Sequence, residues 1–394
     1  MKIRVPDYYD EFKCIADKCT DTCCAGWQVD VDDKSFAYYK TIKGEFGDRL
    51  HSVMIEGKHG EEGRFRIRED GRCPFLNDNM FCDLYTALGE DALCVTCDKY
   101  PRYTTEYGSL RETGIAISCI TASGIVLRKR QNFGFKEWED KEAFPSLNNI
   151  DGELFMALMR ARTKAFEIIH DNSSADIFQR ISVLAYYATD LQKNIKKKSG
   201  IDNVISRYSE EYINDILAAT GRERYKEKDT VDIYKNIFYC YLKQVIIKAE
   251  WPELIYKVYD YTLNDSYDLM HFVGRIRDDF KRYNKDSEYE YENLIDYFIF
   301  RYFMKAVFDR DILTKVKMGI VGVLVIHQCN MAYWCNNGRK LEFDDIVEIA
   351  HLYSREVEHS EENFDRLCRQ FSKKRTFCAK NLVMLLQDNS GRKE

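Results

Sequence analysis

The sequence predicts a mostly α-helical protein in two parts. Residues 1–140 form a loop-rich, cysteine-bearing N-terminal domain with a little β-structure, and residues 145–394 form a multi-helical domain. Glycine and proline carry the division: the first 145 residues hold 12 of the 20 Gly and 4 of the 5 Pro, and these residues punctuate loops. Hydrophobic periodicity carries the rest. Leu154, Leu158, Ala161, Ala165 and Ile168 keep one helix face apolar, as do Ile177, Ile181, Leu184, Ala188 and Leu191. A 394-residue chain with 45% apolar residues can bury such a core without covalent staples.

Along the N-terminal part, Asp32 or Asp33 is placed to cap a helix after Val31. Phe65–Arg68, Met80–Cys82 and Leu110–Ile117 read as short strands. The boundary falls in the polar, aromatic stretch 131–150. Beyond it the rhythm predicts seven to nine helices. One carries Val231, Tyr234, Phe238, Tyr241 and Val245; another is capped by Ser360 ahead of Glu361 and Glu362. There is no internal repeat and no low-complexity segment. The longest stretch without a charged residue runs from Met318 to Gly338, but only Met318 to Ile326 is continuously apolar. That is too short to span a bilayer, so it reads as a buried core helix and no transmembrane segment is expected. The net charge of −6 is spread along the chain, which makes nucleic acid a poor partner. The opening Met1-Lys2-Ile3-Arg4-Val5-Pro6-Asp7 has no apolar core or cleavage site of a signal peptide, and the expectation is a reducing cytoplasm.

Nine of the fourteen cysteines fall in the first 119 residues: Cys14, Cys19, Cys23, Cys24, Cys73, Cys82, Cys94, Cys97 and Cys119. In a reducing compartment they are not expected to form disulfides. They sit in Gly/Pro-containing loops and not on an amphipathic period, so they are not simply buried core thiols. Spacings of two to four residues let thiolates converge on zinc or iron–sulfur. Adjacent side chains diverge, so Cys23 and Cys24 rarely serve one small centre. Either one stands back from the metal, or two centres divide the pair. His51 and His59 lack ligand spacing. Cys240, Cys329, Cys335, Cys368, Cys378 and His327 lie on helical stretches and read as core.

At these cysteines the sequence resembles the flagellin lysine-N-methylase family. The resemblance lies in Phe12-Lys13-Cys14, Cys19-Thr20-Asp21-Thr22-Cys23-Cys24-Ala25-Gly26-Trp27, Cys73-Pro74-Phe75-Leu76 and Leu93-Cys94-Val95-Thr96-Cys97-Asp98-Lys99-Tyr100-Pro101-Arg102. Ser118-Cys119 is similar to its last N-terminal motif, with Ile120 where the family has proline. The paired cysteines, the Cys-Pro-Phe-Leu run and the Cys-x2-Cys element also resemble a broader bacterial family of zinc- or iron-chelating proteins. The specific motifs cover residues 1–125; the helical remainder is similar only in general pattern.

The resemblance implies methyl transfer from S-adenosylmethionine to lysine amines of a flagellin-like protein, with an iron–sulfur cluster on the cysteines. It favours a four-iron four-sulfur cluster, with zinc possible instead or in addition. Cys14 through Cys97 form the ligand pool, and Cys119 is a reserve ligand or a neighbour of the active site. Two other readings stay open: a zinc-stabilised binding or assembly module, and an iron–sulfur redox enzyme. The Gly-rich loop of a Rossmann methyltransferase is absent, as is the C-x3-C-x2-C triad of radical enzymes. The cofactor is therefore expected between the two domains. A sulfonium favours aromatic faces beside carboxylates, which the stretch from Tyr289 through Tyr297 and Arg301 supplies; Arg102 could grip a carboxylate. The catalytic residue is not legible.

Overall fold

Turns and short elements make up the first third of the chain, where most of its glycine and proline lies. In the computed structural model, the described residues are 1–394 apart from 28, 58–61, 131, 142, 147, 149, 171–174, 196–199, 221–224, 264–266 and 391–394, and apart from the side chains of 267–273. His59 lies outside them.

Among the described residues, seven strands make two sheets: β1 (Lys2–Pro6), β2 (Asp30–Val31), β3 (Met54–Ile55), β4 (Gly63–Phe65), β5 (Arg102–Tyr107), β6 (Leu110–Ile115) and β7 (Phe135–Glu139). The larger sheet has the order β5-β6-β1-β7. β5 and β6 form a hairpin in which Arg102 faces Ile115. β1 runs parallel to β6, with Ile3 beside Arg111, and antiparallel to β7, with Ile3 beside Trp138. This mixed sheet is not a doubly wound nucleotide-binding one. The smaller sheet, β2-β4-β3, is antiparallel.

The local expectations hold where a cap or a clean rhythm specifies the element. Asp32 caps the helix Asp33–Tyr39, its Oδ1 accepting from Ser35 N at 3.0 Å. Ser360 caps Glu361–Lys373 by accepting from Asn363 N at 3.2 Å. The two 4-3 rhythms become the helices Gly152–Ile169 and Ile177–Asn194. The helix Glu227–Leu242 stops short of Val245, whose N–H is taken instead by Asn363 Oδ1 at 2.8 Å. Met80–Cys82 is a turn and not a strand. Asn77 Oδ1 accepts from the N–H groups of Asn79 and Phe81, and Met80 sits at φ 62. Of Phe65–Arg68, only Phe65 lies in a strand.

From Gly152 onward there are thirteen α-helices among the described residues, more than the seven to nine expected. The excess lies in short, charged helices such as Gly200–Arg207 and Glu210–Thr220, whose apolar faces are too narrow to read as a long rhythm. The central helix, Ile312–Asn336, is long and apolar enough to cross a membrane by length and composition, yet 89% of its most apolar window is buried inside the protein. Helices Ile177–Asn194, Glu250–Thr262, Glu288–Tyr302 and Phe343–Val357 pack around it. Gly319 and Gly322 let Phe298 lie against its backbone, since a Cβ at either would meet that side chain at 2.9 or 2.8 Å.

Two apolar cores result. The larger runs through the helices and takes in Tyr8, Phe12, Tyr107, Leu110, Ile115 and Leu127 from the N-terminal part. Arg4 and Arg162 both pair with Glu112 beneath the larger sheet, which ties the strands to the helix Gly152–Ile169. The smaller core joins Val29, Val31, Phe36, Tyr39, Leu50, Phe65, Phe75, Leu76 and Leu84 with Cys73 and Cys94. Among the remaining thiols, Cys240 and Cys329 are buried, and Cys335, Cys368 and Cys378 are half-buried. His327 is buried against Phe178, Phe280 and Tyr291, and burial pushes its pKa down to about 3.

Candidate metal centre and its junction with the helical part

Turns and helix starts carry the nine N-terminal cysteines, and all of them are free thiols. Cys24 O accepts from Cys73 N at 2.7 Å, and Ala25 bridges Arg72, so these two segments run side by side. Leu76 bridges Cys82, which folds that cysteine back beside Cys73. Cys94 and Cys97 share one helical turn, Val95–Lys99, which Asp32 Oδ2 anchors by accepting from Val95 N at 2.9 Å. Cys94 Sγ lies 3.7 Å from Asp30 O. Cys14 and Cys19 flank the turn Ala16–Lys18, and Cys119 precedes the helix Ile120–Arg128.

The thiols act on one another. Cys23 and Cys24 are hydrogen-bonded, which raises Cys23 and lowers Cys24 to about 7, a value to which Arg355 also contributes. Cys94 and Cys97 are paired in the same way, lowering Cys94 and raising Cys97. Burial pushes Cys73 up to about 12 and Cys119 up to about 11. Among the described residues no three His, Cys, Asp or Glu side chains converge closely enough to enclose a single metal ion. His51 takes no part; its Nε2 meets Tyr39 O at 2.9 Å.

The cysteine loop docks on the helix Phe343–Val357. Asp21 meets His351 Nε2 at 2.7 Å and Lys248 Nζ at 2.5 Å, and both hold its carboxyl below the usual carboxylate range. The buried Arg355 donates from Nη2 to Ala25 O at 2.7 Å. Gly26, at φ +83, faces that guanidinium: a side chain there would be strained and would meet Arg355 at 3.3 Å.

An aromatic trio sits at the same junction. The Trp27 and His359 rings are 4.7 Å apart, Tyr100 and His359 5.5 Å, and Trp27 and Tyr100 5.9 Å. All three are half-buried. Burial and then Arg355 hold the His359 imidazole neutral, with a pKa down to about 3. His359 Nε2 and Arg355 Nε have no hydrogen-bond partner among the described residues. Periodicity gave no sign of this trio, since its members come from three distant segments; the only signal was Trp27 closing the cysteine motif.

Each candidate cofactor residue has its own partners. Arg102, on β5, stacks its guanidinium over Phe12 at 5.2 Å and Tyr9 at 5.7 Å. Tyr297 and Arg301 surround Glu358, the neighbour of His359. Glu358 accepts from Tyr297 at 3.2 Å, Tyr302 at 2.5 Å and Ser354 at 2.6 Å, and pairs with Arg301 Nε at 3.4 Å. Arg301 also hydrogen-bonds Tyr297 and lies over the Tyr103 ring at 4.4 Å. On the helix Glu288–Tyr302, Glu292 pairs with Arg180 at 2.8 Å and Asp296 with His170 at 2.7 Å.

Lys305 stands over Tyr302 at 5.2 Å, and burial, then Arg301, lower its pKa to about 8. A lysine depressed in the fold is penalised wherever the unfolded chain is protonated. Lys305→Met should therefore stabilise by about 1–3 kcal/mol below pH 8, and that gain should fade as pH rises through about 10.4. Urea unfolding at pH 7 and pH 10.5 checks it; a gain unchanged by pH would exclude this cause.

Comparison with known proteins places this geometry in a family. The FliB lysine N-methylase C-terminal domain profile matches residues 162–385, more than half of the chain. That is the helical part, for which the motifs gave only a general likeness. A lysine-N-methylase of Salmonella typhimurium is 25% identical over 131 residues, covering 32% of this chain and 33% of its own. A flagellar biosynthetic protein FliU of Salmonella muenchen is 24% identical over 133 residues, covering 32% of this chain and 78% of its own. The chain thus spans about a third of the length of the lysine-N-methylases it matches. No solved structure matches it. By its helical part, the chain belongs to the FliB lysine N-methylase family.

Proposed function

We propose that this chain is a protein-lysine N-methylase that takes its methyl group from S-adenosylmethionine, carries an iron–sulfur cluster on its N-terminal cysteines, and acts inside the cell on a flagellin-like protein. The observation that carries the reading is the FliB match to the helical part, which contributes His351, Arg355 and His359 to the cysteine loop's docking face.

The donor set suits an iron–sulfur cluster: each thiolate binds a different iron, so the sulfurs need not crowd one ion. Cys24, already lowered to about 7 by Cys23, is readily deprotonated for such a role. S-adenosylmethionine, when bound, supplies a sulfonium methyl group to the amine. Trp27 and Tyr100 offer aromatic faces to that cation, and His359, held neutral, adds no competing charge. Arg355, with Nε unpartnered, is the group for the cofactor's carboxylate. Tyr297 and Arg301 act at one remove, fixing Glu358 and so the position of His359. A lysine amine attacks only when neutral, and its ordinary pKa is about 10.4, so a half-buried aromatic junction that desolvates it favours the reactive form.

Protein isolated without oxygen should be brown, contain iron and sulfide, and transfer label from methyl-labelled cofactor to lysines of flagellin. Trp27→Leu should raise the KM for the cofactor about 2- to 30-fold, the range expected for one aromatic–cation contact. Colourless, zinc-filled protein that transfers no methyl group would replace this reading with the zinc-stabilised binding module.

A further inference from the structure

We propose that the protein substrate docks an acidic segment with apolar side chains on a strip of the helical part. The strip is made of Tyr239, Lys243, Val245 and Ile246 and is bordered by the basic side of the helix Glu361–Lys373. That docking presupposes the protein-methylase reading above and names what its substrate presents.

The charge is written in the sequence. From Arg366 to Gln387 the chain carries six cations and no Asp or Glu, although its net charge is −6. Arg366, Arg369 and Lys373 follow at spacings of three and four, which sets them along one side of their helix. Of the six, only Arg366 has a carboxylate partner among the described residues, Glu362 at 2.6 Å. Like charges at these spacings repel one another, and a partner's carboxylates relieve that repulsion.

Packing sets the end of the helix Glu227–Leu242 against that side. Arg366 Nη1 donates to Lys243 O at 2.7 Å, and Lys374 Nζ donates to Cys240 Sγ at 3.3 Å. Lys243 Nζ stands 4.3 Å from the centre of the Tyr239 ring. Tyr239 is 51% exposed, Val245 45% and Ile246 56%, so three large apolar side chains meet water beside these cations.

Their exposure is built in by the backbone. The buried Asn363 accepts from Val245 N and donates to Val245 O, each at 2.8 Å. The buried Glu356 accepts from Ile247 N at 3.1 Å and from Lys248 N. Two buried side chains thus clamp residues 245–248 and leave Val245 and Ile246 outward. A surface already fixed loses less entropy when a partner arrives.

The clamped segment also abuts the cysteine loop. A Cβ on Gly26 would lie 3.6 Å from Ile247 Cγ2, and Lys248 pairs with Asp21. Gly26 precedes Trp27, and Asn363 follows His359 by four residues, so both sides of the segment connect to the aromatic trio.

Methyl transfer to flagellin and, separately, flagellin binding by fluorescence anisotropy are measured for the full chain, Val245→Ser/Ile246→Ser and Lys373→Glu/Lys374→Glu. All four residues are exposed, and unchanged thermal melting shows that the variants fold. Val245→Ser/Ile246→Ser should raise the KM for flagellin about 5- to 100-fold, from two lost apolar contacts. Lys373→Glu/Lys374→Glu should raise it about 3- to 30-fold and flatten its dependence on salt. In neither should kcat or the KM for the cofactor move. Flagellin KM and binding unaltered in both variants overturn the proposal and leave the methylase reading intact. A full chain that transfers no methyl group, yet binds flagellin and loses that binding in both variants, keeps the docking strip and overturns the methylase reading. Neither transfer nor binding by the full chain overturns both. Variants that instead lose binding to vesicles of anionic lipid, or turn a dimer into a monomer, assign the strip to a membrane or a second copy and overturn the proposal.

Discussion

If the cysteines carry the proposed cluster, Cys94→Ser protein, purified without oxygen, will lose metal and be cut by protease between residues 14 and 97, while the helical part survives. The smaller core has few large apolar residues and two minimal strands, β2 and β3, to hold it. A unit of this size seldom folds on hydrophobic burial alone. Thiolate–metal bonds contribute about 10–16 kcal/mol to small metal-dependent folds, so losing a ligand removes more stability than the core can replace. The spacing of the motifs suggests a metal-dependent region of residues 1–125. The structure narrows it, because Tyr8, Phe12, Tyr107, Leu110 and Ile117 are buried in the larger core and should hold their places. A soluble, metal-free, protease-resistant Cys23→Ser/Cys94→Ser protein would sink the prediction.

Glu358→Ala will cost about 3–5 kcal/mol, because it leaves the Arg301 guanidinium buried without its carboxylate. The Glu358 side chain is 0% exposed and that of Arg301 12%. The hydroxyls of Tyr297, Tyr302 and Ser354 lose their acceptor in the same step. Replacing both charges with apolar groups, Glu358→Leu/Arg301→Met, should cost less than Glu358→Ala alone, since no orphan charge remains. Denaturant unfolding of the three proteins measures this. A single variant within about 1 kcal/mol of the parent would show that water enters and screens the site.

The helical part was legible wherever one face carried a regular stripe, as at Leu154–Ile168. It was less legible where a helix buries nearly all round: along Glu288–Tyr302 both faces are core, so its aromatics read as a cofactor surface. Gln328 and Asn330 seemed to interrupt an apolar run, yet both lie inside the central helix, where Asn330 donates to Tyr291 at 3.0 Å. The clustered N-terminal cysteines, for which metal binding is proposed, stood out in the sequence because cysteine spacing is local. The docking of Asp21 on His351 and Lys248, and of Trp27 on His359, depends on tertiary folding and leaves no local pattern.

The topology of the larger sheet has a consequence for how the protein is made. β1 is synthesised first, but its neighbours in the sheet are β6 and β7, so it has no partner until Leu110 has emerged. The smaller core, by contrast, is complete once Cys97 is made. At about 5–20 residues per second, the 13 residues from Cys97 to Leu110 give the nascent chain about 1–3 seconds in which that core can assemble while β1 is still unpaired. The assembled core then presents a finished surface to the helix Phe343–Val357, and the last third of the chain closes onto a cysteine loop already in place.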